Sequence, residues 1–130
     1  MMKNIIILLI LTIGLVSCCK EENEIVNETG VIKGHIEAYA LNGSLTDTIS
    51  IYPSIDQEVF ITNDNTLSQN IVKTDYLGNY RFDSLEQGVY TVYVYSFDPT
   101  SIDEKKAIIE TVFVSSNGET TLDFNVLTQP

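Results

Sequence analysis

From Gly30 to Leu127 the chain alternates apolar and polar residues in short runs. Leu122, Phe124 and Val126 fall on one face of such a run, with Asp123 and Asn125 on the other. Ile32, Gly34, Ile36 and Ala38 alternate with Lys33, His35 and Glu37, and Tyr80 and Phe82 with Asn79, Arg81 and Asp83. A period of two in segments rich in Val, Ile, Thr, Tyr and Phe predicts half-buried strands, and no long 3.6-residue stripe predicts a helix. The predicted strands are 30–40, 57–62, 70–75, 79–84, 88–98, 106–115 and 120–127, with a further short strand at 48–52. One run is ambiguous, because Glu110 stands in register with Ile108 and Val112.

Turn chemistry separates the runs. Asn42-Gly43 is a hairpin-type dipeptide, and Asn117-Gly118 joins the last two runs. In Asp75-Tyr76-Leu77-Gly78 the aspartate can bond the turn amides and glycine closes the turn. Seven short strands at this spacing predict an all-β fold of two packed antiparallel sheets, in which inward and outward residues alternate.

One stretch carries a family pattern. Thr74-Asp75-x-x-Gly78-Asn79-Tyr80-x-Phe82-x-x-Leu85-x-x-Gly88-x-Tyr90-x-Val92 resembles the core motif of carboxypeptidase regulatory-like domains. Ile32-x-Gly34-x-Ile36 is similar to that family's first strand and Val59-x-Ile61 to its second, so the resemblance covers about residues 30–127. It implies a seven-stranded Greek-key β-sandwich of the transthyretin (prealbumin) type, acting as a module without catalysis of its own. Segment 44–56 departs from the family by its length, and either carries function or is an idle insertion.

The N-terminus reads differently. Lys3 and the apolar run Ile5–Val16 form a secretory signal too short to span a bilayer comfortably. Leu15-Val16-Ser17-Cys18 resembles the lipobox of bacterial lipoproteins. That resemblance implies removal of residues 1–17, a thioether-linked diacylglycerol on Cys18, and a further acyl chain on its freed amine. Two or three chains hold a protein stably where one does so marginally. Cys19 is the weaker alternative site. Residues 18–29 then form a lipidated cysteine and acidic tether, and 30–127 the domain. Cys19-Lys20-Glu21-Glu22-Asn23-Glu24 resembles an export signal that carries some lipoproteins to the outside of the outer membrane; a plain solvated linker has the same composition. The expected location is the outer membrane, on the cell surface or the periplasmic face.

After cleavage 113 residues remain, with eighteen acids against six Lys and Arg, a net charge of −12. Such a chain repels phosphate backbones, which argues against nucleic acid as a partner. Both cysteines lie at the tether, so an internal disulfide or thiolate metal site is excluded from the domain.

Chemistry is sparse. His35 is the single histidine and sits on a predicted polar strand face beside Lys33 and Glu37, which suits a surface residue better than a triad member. Asn63-Asp64-Asn65 is oxygen-rich but lacks the spacing of a calcium loop. No metal, cofactor or catalytic set is expected. With Tyr90, Val92 and Val94 facing the core, Thr91, Tyr93, Tyr95 and Phe97 face outward, and Phe60 and Phe113 are candidates for the same surface. Tyr93, Tyr95 and Phe97 are therefore the candidate ligand or partner face, suited to sugar stacking or a protein, or simply to cross-strand packing. Asp47-Thr48-Ile49 and Asp83-Ser84-Leu85 resemble a bacterial O-glycosylation acceptor, which nominates Thr48 and Ser84.

The expected function is a non-catalytic, lipid-anchored binding or assembly module, with the membrane, an outer-membrane protein or a polysaccharide as partner. The alternatives are a glycan-binding accessory using the aromatic face, a hydrolase with an unmarked carboxylate pair, and a sheet edge that accepts a neighbour's strand.

Overall fold

The structure is a computed structural model and describes residues 28–129. Nine strands follow in order: β1 (Gly30–Leu41), β2 (Thr48–Pro53), β3 (Glu58–Asn63), β4 (Gln69–Lys73), β5 (Asn79–Leu85), β6 (Gly88–Phe97), β7 (Lys105–Val114), β8 (Glu119–Thr121) and β9 (Phe124–Thr128). Among the described residues there is no helix.

β1 organises the first sheet. Its first half pairs antiparallel with β5 and parallel with β8; its second half pairs antiparallel with β2 and parallel with β9. The second sheet runs β4-β3-β6-β7 and is antiparallel throughout. The chain changes sheet after β2, β4, β5 and β7, so β6 returns beside β3 in the Greek-key manner. Between the sheets lies one core. Ile32, Ile36, Ala38, Tyr80, Phe82, Phe124 and Val126 from the first sheet meet Val59, Ile61, Tyr90, Val92, Val94 and Val114 from the second. Each large aliphatic buried there contributes about 1.5–3 kcal/mol.

All seven predicted strands are present, and one detail differs from the sequence pattern. The last one is interrupted at Leu122-Asp123, giving β8 and β9. Register is kept across the gap, from Lys33↔Thr121 to Ile36↔Phe124. The gap arises because a side chain enters the ladder: Asp123 Oδ1 accepts the His35 backbone N–H at 2.9 Å. Segment 44–56 supplies the further short strand expected at 48–52: it is β2, an edge strand whose six residues are all exposed. Glu110 is also settled. It pairs with buried Val92 on the core side of β7, yet stays exposed because β7 is an edge. A charge pointing inward on an edge strand discourages a further strand from adding there.

The central turn forms as its residues dictate. Asp75 Oδ1 accepts the backbone N–H groups of Leu77 and Asn79, each at 2.9 Å, and Gly78 takes φ 80°, a left-handed conformation that glycine adopts freely. Beside it, buried Thr74 donates its hydroxyl to the Ser54 carbonyl at 2.5 Å and accepts the Gln57 N–H at 2.9 Å. This ties the turn to the segment that enters β3.

Tyr80 crosses under β1 and donates its phenol O–H to the Leu122 carbonyl at 2.5 Å. Burial, then the nearby Asp123 carboxylate, pushes its pKa well above the ordinary phenol value of 10.0. The folded state therefore holds this proton more tightly than the unfolded chain. The resulting stability is complete below pH 10 and is lost as pH rises beyond it. In urea titrations above pH 10 the wild type should lose stability more steeply than Tyr80→Phe; parallel curves would refute this assignment.

Candidate ligand-binding site

On the outer face of the second sheet, register brings Ile71, Phe60, Tyr93 and Ile109 into one row across β4, β3, β6 and β7. Phe60 and Tyr93 are stacked, with ring centroids 4.8 Å apart and planes within 7°. Tyr95 meets both rings edge-on, at 5.6 Å from Phe60 and 5.8 Å from Tyr93. Lys105 places its ammonium 5.9 Å from the Tyr95 ring centroid, within cation–π range.

Tyr93, Tyr95 and Phe97 do share the outer face, but they play different parts. Tyr93 is half-buried and packs against Phe60. Tyr95 is exposed, and Phe97 is half-buried at the end of β6, opposite Lys105. The ring that completes the cluster is Phe60. Phe113 is exposed opposite Val89 and makes no ring contact with the trio. Thr48 and Ser84 are both exposed. Cys18 and Cys19 lie outside the described residues.

Next to the cluster opens a cleft of about 440 Å³. Phe60, Tyr95 and Phe97 supply its aromatic lining. Its rim comes from residues 55–58, which lead into β3, from Asp103, Glu104 and Lys105 at the start of β7, and from Gln129 after β9. Glu104 accepts the Gln129 side-chain amide at 2.8 Å, and Asp103 accepts the Ser101 hydroxyl at 2.6 Å. The hydroxyl of Ser101 and the backbone N–H of Lys105 hold the Asp103 carboxyl below its ordinary pKa. These rim groups were missed in the sequence, because three distant segments supply them. The cleft thus offers aromatic carbon beside amide and carboxylate oxygen, the usual make-up of a small-molecule site.

The position of the cleft follows from strand direction. Gly30 begins β1 opposite Leu85, and a side chain there would meet Val114. Val114 pairs with Gly88 at the start of β6, whereas Phe97 and Lys105 pair at the other end. The cleft is therefore at the end of the sandwich away from Gly30, a strand length or about 30 Å off.

A larger polar cleft of about 780 Å³ gathers Lys33, His35, Lys73, Arg81, Asp75 and Asp123. His35 Nδ1 lies 3.1 Å from Asn79 Oδ1, and its Nε2 lies 3.8 Å from Glu37. Lys33 pairs with Glu119, and Arg81 with Asp83 at 2.5 Å. Asp75 and Asp123 are occupied by backbone N–H groups, and no serine or threonine hydroxyl bonds the imidazole among the described residues. Asn63 uses its Oδ1 to accept the N–H groups of Asn65 and Thr66, so the oxygen-rich loop is an Asx turn. Among the described residues no group of three or more His, Cys, Asp or Glu is placed to hold a metal ion.

No family model matches the chain. No curated protein sequence matches it either. Among solved structures it is similar to a candidate carbohydrate-binding protein from Pseudomonas aeruginosa, with a TM-score of 0.50 and 15% identity over 75% of this chain and 88% of that one. At that identity the likeness shows a shared all-β fold.

Proposed function

We propose that the chain is a non-catalytic surface module, anchored through lipid on Cys18, that binds a glycan in the cleft remote from its tether. The observation that carries this reading is the exposed Tyr95 ring beside Phe60 and Phe97, in an open cleft rimmed by amide and carboxylate groups. Sugar rings present C–H faces to aromatic carbon and hydroxyls to such oxygens and amides. The P. aeruginosa protein of similar fold, itself a candidate carbohydrate binder, supports the same direction. The engaged charges around His35 support a role without catalysis. With the tether at Gly30, an anchored domain presents the cleft outward.

The test is a glycan array on the mature chain, followed by titration of a retained glycan against Tyr95→Ala. Loss of one stacking ring should weaken binding about tenfold while the folded state persists. A folded Tyr95→Ala protein with unchanged affinity would sink the reading.

One observation favours an assembly role for the adjoining surface. Ile71 and Ile109 are 51% and 59% exposed at the two ends of the aromatic row, which suits a protein partner such as an outer-membrane protein. Crosslinking in intact cells should then recover that partner through this row, and Ile109→Lys should release it.

A further inference from the structure

We infer that the cleft sorts glycans by charge, taking neutral and amino-bearing sugars and turning away carboxylated ones. The inference rests on the glycan-binding reading and names the class of sugar for the same site.

Four carboxylates border the aromatic lining: Asp56 and Glu58 from the segment entering β3, Asp103 and Glu104 from the segment entering β7. One cation, Lys105, accompanies them, and its ammonium is turned toward the Tyr95 ring. The acids come from two sides, so a sugar resting on Tyr95 meets negative potential along both edges. The aromatic walls are weakly polarisable by comparison with water, and they focus that field into the cleft. Each like charge met at contact distance weakens binding roughly fivefold even with water-like screening. An amine at the same place gains what a carboxylate loses. A neutral sugar uses Tyr95 and the rim hydrogen bonds alone.

The chain is acidic everywhere, so the local claim needs a control for net charge. The experiment titrates the mature protein with hexamers of glucosamine, glucose and galacturonic acid. It compares wild type with Glu58→Gln/Glu104→Gln, which neutralises two rim charges. It also uses Glu37→Gln/Asp83→Asn, which removes the same charge from the outer face of the first sheet. The glucosamine hexamer should bind wild type at least tenfold more tightly than the galacturonate hexamer, with glucose between them. The rim variant should close that gap about tenfold, and the opposite-face variant should leave it. Equal closure by both variants would assign the selection to overall charge and overturn the inference. So would galacturonate binding equal to glucose. If Tyr95→Ala abolishes glucose-hexamer binding while no charge order exists, the inference fails and the glycan reading stands. If no hexamer binds wild type, both fail together.

Discussion

Replacing Gly34 by alanine should cost this domain about 3 kcal/mol or more, the upper end for overpacking a core. Gly34 lies in the middle of β1, between Tyr80 of β5 and the β8–β9 junction. A Cβ built there would sit 1.7 Å from the Leu122 carbonyl oxygen and 2.8 Å from Tyr80 Cε1. The first obstacle is backbone, so no side-chain rotation relieves it. The same carbonyl accepts the Tyr80 phenol at 2.5 Å, so moving it also loosens a buried hydrogen bond. The nearest atoms to the new methyl thus lie on both sides of β1, in β5 and in the β8–β9 junction. Gly43, with nothing within 4 Å of its Cβ position, is the matched control and should change stability by less than about 0.5 kcal/mol as alanine. Urea midpoints of the two variants check this. A Gly34→Ala domain as stable as wild type would mean that β1 and the β8–β9 junction are not packed as described.

Gly34 also shows how far the sequence could be read. Its place on the inward face of β1 was legible from alternation with Lys33 and His35, as were the inward sets of β5 and β9. Alternation reports which face is buried, and in these strands one face carries most of the buried residues. It does not report what lies against a glycine, because the Leu122 carbonyl comes from a residue 88 positions away. The β2 strand was only faintly visible for the opposite reason: all six residues are exposed, so burial imposes no contrast on Ile49 and Ile51. Glu110 was ambiguous because edge position, which frees an inward charge to reach water, is a property of sheet order rather than of local sequence. The same limit applies to the site. The outward row of Tyr93, Tyr95 and Phe97 was legible within one strand. Its partner Phe60 and the acids of the rim come from other strands and loops, and only the register of β3, β6 and β7 brings them together.

The proposed anchor makes the largest cellular prediction. Cys18→Ala/Cys19→Ala, in which Cys19 cannot take over as the acceptor behind a new small residue, should move the protein from the membrane fraction to the soluble fraction almost completely and remove the lipid from its mass. The argument is chemical. Only a thiol at that position can take the thioether diacylglycerol, and cleavage before it frees the amine that takes a further chain. Each buried methylene contributes about 0.8 kcal/mol, so two or three acyl chains hold a protein that one chain would release. Nothing else in the mature sequence compensates. Its net charge of −12 opposes anionic headgroups, and no described helix is long and apolar enough to cross a membrane. Cys19→Ala is the control and should keep both membrane partition and lipid mass. If the double variant stays in the membrane fraction, the lipid is elsewhere or absent, and the outward presentation of the cleft loses its basis. Glycan binding by the isolated domain is measured in solution and would be untouched by that outcome, so anchor and cleft stand or fall separately.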